Sequence, residues 1–398
     1  SPAQLIIARA LLGVAGATLA PSTLSLIRNM FPNEVQRRTA IAVWMASFST
    51  GTALGPVTGG LLLEHFWWGS VFLVNVPAMA LLVALGAWLL PEFRSANSER
   101  LDLTSTVLSL AAVLPIVFGI KQIASQGLSA NAIVPIGVGV VIGYVFLQRQ
   151  RRLSHPFVDL SLFASPGFRA ALLANVGGAF FIAGIHVFAA QYLQLVHGLP
   201  PMRAALWSMP SALVFVLSSA LMPLLVRRFN ERSLMTAGLA VAALGFALLL
   251  GIRADGPLPL LVAGLMVFSI GYTPVASLTT DHIVSSAPPE RAGGAAALSE
   301  TAFELGASLG IALLGSLGAA IFRARMMAAM PPSLDATSAQ TASATLGGAV
   351  EVAAGNPAIA DALLIPANTA FTHGLLAAAA IGLTCLLAMA LYVNRALR

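Results

Sequence analysis

Ser49-Thr-Gly51-Thr-Ala-Leu-Gly55-Pro56-Val-Thr-Gly59-Gly60 lies inside an apolar run from Ala40 to Leu63, with no charge between Arg38 and Glu64. In a soluble protein such a density of glycine and proline reads as a turn or loop. An uncharged run this long reads instead as a transmembrane helix, because about 20 apolar residues span the hydrocarbon core. Gly51, Gly55 and Gly59 then fall on one helix face, a flat stripe that lets a neighbouring backbone come close. Pro56 kinks that stripe, and polar neighbours can satisfy the carbonyl it frees. On spacing alone this could be a tight helix pair in any membrane bundle.

The rest of the chain fits that reading. It is 58% hydrophobic and 9% charged, with a mean hydropathy of +0.87, which no soluble core of this length requires. The expected fold is an all-α polytopic membrane protein. The net charge of +6 is small and does not suggest a nucleic-acid partner. Cys385 is the sole cysteine, which excludes disulfide and multi-thiolate metal sites within one chain. There is no GxxxxGK[ST] loop, HExxH or GxSxG sequence and no His/Asp ligand cluster, so neither an ATP-driven pump nor an enzyme is expected, and no cofactor or metal.

Apolar runs fall at about 3–27, 39–63, 70–90, 103–121, 132–148, 168–190, 204–226, 233–252, 257–280, 294–322 and 369–393, which predicts eleven helices. Connections are short except at 149–166 and 323–368. The second, rich in Ala, Ser, Thr and Gly with Pro331-Pro332, reads as a loosely ordered loop. Alternate loops collect fifteen arginines on one side, against Lys121, Arg203, Arg253, Arg323 and Arg325 on the other. The positive-inside rule puts the richer side, and the C-terminus, in the cytoplasm.

Here the opening stretch carries a resemblance. G-x-x-x-G-P-x-x-G-G, complete at Gly51, Gly55, Pro56, Gly59 and Gly60, resembles the antiporter signature on the fifth helix of drug-exporting major facilitator transporters. Leu5-Ile-Ile-Ala-Arg9-Ala-Leu-Leu-Gly13 resembles the signature of their fourth helix, and Phe66-Trp67-Trp68-Gly69-Ser70 through Asn75-Val-Pro77 extends the likeness. The chain is thus similar to the fourteen-span drug:proton antiporter branch, relatives of quaternary-ammonium and methyl-viologen pumps, with its runs corresponding to helices 4–14. Helices 1–3 and a G-x-L-a-D-R-x-G-like loop have no counterpart in this sequence. The resemblance implies residues 1–90 as a partial N-terminal bundle, 91–102 as a cytoplasmic linker and 103–148 as two additional central helices. Residues 149–167 would then be a cytoplasmic loop, and 168–398 the C-terminal bundle with its external loop at 323–368.

Ionisable groups in apolar runs mark the candidate site, since a charge at mid-bilayer costs about 2.5–3.5 kcal/mol on insertion scales. Glu300 and Glu304 stand i, i+4 in a run otherwise uncharged from Gly293 to Phe322. At about 1.5 Å per residue from Gly294, Glu304 is expected some 15 Å deep. Carboxylates so placed could carry protons and attract a cationic drug; alternatively, Glu300 is interfacial and Glu304 bonds a neighbouring helix. Arg9 either snorkels to the surface or, as the resemblance implies, tunes a carboxylate on the proton pathway, although its usual first-helix partner has no counterpart here. Asp281 reads as a gate-side ion-pairing residue beside the turn Pro288-Pro289-Glu290-Arg291, with proton transport secondary. Asp102 opens its helix as a cap or a cytoplasmic gate. His186, Asn175 and Gln191 are polar groups of one run, and Phe181 and Tyr192 offer π surfaces to an aromatic cation, or simply pack. The stretch Met209-Pro210-Ser-Ala-Leu-Val-Phe215 lacks the acid that quaternary-ammonium pumps can carry there.

The expected function is export of lipophilic cationic drugs or biocides across a bacterial inner membrane in exchange for protons, by alternating access. Its partners would be those cations, protons and membrane lipid, with the complete transporter a monomer. A dedicated metabolite or lipid exporter, or an inactive truncated transporter, are the alternatives.

Overall fold

The computed structural model describes residues 2–31, 33–89, 102–126, 129–153, 156, 158–287, 292–332 and 334–397, and no strand occurs among them. Two compact units, Ser1–Leu101 and Asp102–Arg398, divide the chain.

In the first unit, α1 (Pro2–Met30) and α2 (Glu34–His65) are long helices. The third expected run is split into α3 (Ser70–Leu73) and α4 (Asn75–Leu89). Pro77 explains the break, because it has no N–H to offer the carbonyl one turn back at Leu73. Trp44 Nε1 donates to Thr23 Oγ1 at 3.1 Å, tying α2 to α1. Trp67 and Trp68 lie exposed and edge-on, 5.6 Å between centroids.

The second unit begins with α5 (Leu103–Gln126) and α6 (Ala130–Arg152), packed on each other. There follow α7 (Pro166–Gln191), which ends in a π-helical turn at Tyr192–Val196, then α8 (Pro201–Arg228), α9 (Glu231–Leu249), α10 (Leu258–Ser285) and α11 (Ala292–Ala328). Among the described residues eight helices are long and apolar enough to cross a membrane, all from Leu103 onward; in the first unit the qualifying windows are shorter, Ala3–Gly16 and Ser70–Gly86.

The loop expected at 323–368 is a correction. α11 continues to Ala328, two short helices follow, α12 (Ala336–Ala344) and α13 (Leu346–Gly355), and α14 (Ala360–Ala396) starts well before 369. Asp335 accepts from Thr337 N and Ser338 N at 3.0 Å, and Thr345 accepts from Gly348 N at 3.0 Å, so both short helices are N-capped. Leu346, Ala349, Val352 and Ala353 share one buried face. The alanines that made the stretch look featureless are the strongest helix formers.

Lipid is as apolar as leucine, so membrane helices associate through close packing of small residues. A Cβ on Gly245 would lie 2.5 Å from Phe268 N, and one on Gly271 would collide with Ala242 N, so α9 and α10 meet backbone to backbone. α7 and α11 do the same, with Gly306 against Val176 and Gly310 against the Phe180 carbonyl. Around these contacts runs an aromatic ladder, Phe181–Phe246–Phe268–Tyr272, with centroid spacings of 5.7, 5.3 and 5.6 Å.

Candidate functional site

α11 turns two faces in different directions. Ser299, Ala302, Gly306 and Gly310 are buried, the two glycines against α7. Glu300, Glu304, Ser308 and Ile311, three or four residues apart, lie on the exposed face. Among the described residues neither carboxylate takes part in a hydrogen bond or ion pair. The apolar span Gly294–Ala328 covers 35 residues, about 52 Å at ~1.5 Å per residue against a hydrocarbon core of about 30 Å. Glu304 therefore sits in the first third of the helix, toward its α10–α11 end.

Behind the pair runs a polar chain across three helices. Asn175 Nδ2 of α7 donates to Ser299 Oγ at 3.1 Å, and Ser299 Oγ donates to Thr280 Oγ1 of α10 at 3.4 Å. Asn175 is 4% exposed, and its Oδ1 has no hydrogen-bond partner among the described residues. Ser299 and Thr280 immediately precede Glu300 and Asp281, so the chain fixes the two acid-bearing backbones in register. Asn175 was expected; Ser299 and Thr280 were not, because a hydroxyl beside an acid gives no sign of facing another helix.

Asp281 is exposed, and among the described residues it has no ion pair; the turn 288–291 that was to supply one lies outside the described residues. The contact at this end is instead His282 Nδ1 to Glu231 Oε1, 2.7 Å, an ion pair only when the imidazole is protonated, joining α10 to α9. Arg232 Nε donates to Asn394 Oδ1 at 2.8 Å and joins α9 to α14.

Asp102 accepts from Ser105 N at 3.1 Å and from Ser105 Oγ at 2.6 Å, the cap expected of it, and pairs with Arg149 of α6 at 2.9 Å. Arg149 Nε and buried Gln150 Nε2 also donate to Ser105 Oγ, and Gln150 Oε1 receives Val158 N. The Ser105 side chain and backbone bonds, then Arg149, hold the Asp102 carboxyl down at about 2.

Arg9 is exposed with its guanidinium carbon 4.8 Å from the Phe72 ring centroid, a cation–π contact that ties α1 to α3. Gly51, Gly55 and Gly59 have nothing within 4 Å of where a Cβ would stand, so the stripe engages no described neighbour. Beside Pro56, Thr58 Oγ1 donates to the Leu54 and Gly55 carbonyls at 3.1 and 3.0 Å; Gly60 is buried.

The remaining candidates on α7 and its π turn separate. Gln191 lines a cavity of about 190 Å3 with Phe188, Phe322 and Phe371, alongside Thr345 and Leu346. His186 Nδ1 lies 2.8 Å from the carbonyl of Ile182 on its own helix. Phe181 and Tyr192 are buried in the core and do not line that cavity; Tyr192 donates to the Arg253 carbonyl at 2.6 Å.

The helical bundle and its membrane-length spans define a polytopic membrane protein, and the family profile described as Major Facilitator Superfamily matches residues 1–311. The chain belongs to that superfamily. It is 42% identical over 398 residues to the multidrug efflux pump LfrA of Mycolicibacterium smegmatis, covering all of this chain and 79% of that protein. It is 33% identical to the methyl viologen resistance protein SmvA of Salmonella typhimurium, covering 98% of this chain and 80% of that protein. In fold it is similar to a bacterial homologue of the human lysosomal transporter Spinster, solved inward-facing and occupied, with a TM-score of 0.53, 18% identity and coverage of 94% of this chain and 73% of that one.

Proposed function

We propose that this protein exports lipophilic cationic drugs or biocides across a bacterial inner membrane in exchange for protons, with its C-terminus in the cytoplasm. The observation that carries this is the exposed face of α11, where Glu300 and Glu304 stand one turn apart in a helix long and apolar enough to cross the membrane. Similarity to a multidrug efflux pump and a methyl viologen resistance protein supports the substrate class. The antiporter signature at Gly51–Gly60 supports proton exchange.

In this mechanism a deprotonated Glu304 or Glu300 attracts the cation through a field that the low-dielectric surroundings screen poorly. Protonation from the outer side removes that charge and releases the cation; loss of the proton inward resets the site, each conformation opening to one side only. Asn175, Ser299 and Thr280 hold the acid-bearing helix segments in place through the cycle, and Asp281 stands at the cytoplasmic end.

The test is ethidium or methyl viologen efflux from cells without their own pumps, expressing the full chain with and without a proton uncoupler. Uncoupler-sensitive efflux that disappears in Glu304→Gln, with membrane insertion intact, supports the reading. Efflux unchanged in both Glu304→Gln and Glu300→Gln removes these residues from the mechanism. A metabolite exporter would instead leave both dyes inside.

A further inference from the structure

The π-helical turn that ends α7 is closed by two backbone bonds. His197 N donates to the Tyr192 carbonyl and Leu199 N to the Leu193 carbonyl, both at 3.1 Å. Gly198 then reverses the chain at a φ of 62°, a conformation that a side chain would strain. The His197 ring lies against the Tyr192 ring, 4.8 Å between centroids and near edge-on. The Tyr192 hydroxyl in turn holds the Arg253 carbonyl of the α9–α10 loop. α8, α13 and α14 pack against the same turn.

In this contact His197 Nε2 is buried and has no hydrogen-bond partner among the described residues. A neutral imidazole tolerates that, because one of its nitrogens carries only a lone pair; an imidazolium has an N–H on both. The ionisable side chains nearest along these elements are His186 of α7, Arg203 of α8, Arg253 and Asp255 of the loop, Glu351 of α13, and Asp361 and His373 of α14. None of them is bonded to the imidazole among the described residues. His197 stands just outside the span Pro166–Val196, where water can deliver a proton. We propose that His197 is a proton-binding site that releases the end of α7: once protonated, the imidazole leaves its place on Tyr192 and the π turn loses its hold on the α9–α10 loop. A charged ring on Tyr192 gains a cation–π contact, but an N–H stranded out of water outweighs it. Burial holds the imidazole below its ordinary 6.5. With a lowered folded value, the stabilisation is present above about pH 6.5 and is lost as pH falls. The release does not depend on what the protein exports.

The experiment is hydrogen–deuterium exchange on the purified full chain in detergent between pH 8 and 5, corrected for the intrinsic pH dependence of amide exchange. It is read on peptides covering 192–199 and 250–257. In wild type, opening of both is expected to hold steady down to pH 7 and then to rise by up to about tenfold per pH unit, the limit for one linked proton. His197→Phe keeps a ring on Tyr192 with no nitrogen to charge, so its opening should not vary with pH. His197→Arg, charged throughout, should be open already at pH 8. Tyr192→Phe should loosen 250–257 at every pH. Peptides from the α9–α10 contact around Gly245 and Phe268 should stay protected in all four proteins, which separates release of the turn from loss of the fold. An acid response in His197→Phe equal to that of wild type, or an unchanged 250–257 in Tyr192→Phe, would overturn the proposal. So would tighter protection at pH 5, the sign of Asp255 capturing the charged ring in place.

Discussion

The Asp102 carboxylate lies 2.9 Å from the Arg149 guanidinium, joining the first turn of α5 to the last turn of α6. Both ends of the pair are also bonded to Ser105, so cap and ion pair are one structure. The cap expected of Asp102 is present in it, and the ion pair closes the α5–α6 hairpin.

This lock has a pH signature. The folded Asp102 carboxyl is depressed from 3.8 to about 2, so its stabilisation is fully present above pH 4 and declines as pH falls toward 2. Asp102 should therefore add no pH dependence to the thermal unfolding of the purified chain between pH 5 and 8. Wild type is expected to lose melting temperature below pH 4 more steeply than Asp102→Asn. Parallel acid limbs for the two proteins would contradict the pairing.

Gly310 and Gly55 should respond oppositely to alanine. A Cβ on Gly310 would enter the Phe180 carbonyl, while one on Gly55 meets nothing within 4 Å. Gly310→Ala is expected to cost about 1–3 kcal/mol through overpacking, read as a fall in melting temperature in detergent. Gly55→Ala should leave melting unchanged, so any loss of efflux in that variant reports on transport.

Leu346 tests the ordered segment between α11 and α14. It is 3% exposed on the buried face of α13, and Leu346→Ala should cost about 2–5 kcal/mol, the usual penalty for emptying a core leucine site. Limited proteolysis gives the readout: residues 336–355 resist cleavage in wild type and become the first site cut in the variant.

Asn175→Ala removes the donor to Ser299. If the proposed export cycle holds, the pH midpoint of efflux should shift while cells still accumulate and insert the protein. Asn175→Asp, which keeps an oxygen but adds a buried charge, should be the more destabilising of the two. Equal efflux profiles in wild type and Asn175→Ala would limit Asn175 to packing.

Much of this architecture was legible in the residues, because a run of apolar side chains without charge has few options besides a helix in lipid. The position of Asp102 before Leu103 likewise announced a cap. Close helix contact was harder to locate. Spacing pointed to Gly51, Gly55 and Gly59, yet the backbone contacts resolved in the second unit fall at Gly245, Gly271, Gly306 and Gly310, because spacing shows that a face is flat and says nothing of what lies opposite. Phe181 and Tyr192 illustrate the same limit, since an aromatic residue in an apolar helix gives no sign of whether it faces core or cavity. α12 and α13 were hidden by composition: alanine, serine and threonine read as filler until Asp335 and Thr345 are recognised as caps.

The backbone contact between α7 and α11 has a kinetic meaning. With Gly306 and Gly310 seated against Val176 and Phe180, α11 has no room to roll about its own axis without separating two main chains. Glu300 and Glu304 are therefore fixed to the frame of their bundle, and a swivel of α11 is not the way they change surroundings. In the proposed export cycle their exposure to one side of the membrane or the other would then be set by rigid-body displacement, the slow collective class of motion, and turnover would be paced by that displacement, not by rearrangement of the carboxylates.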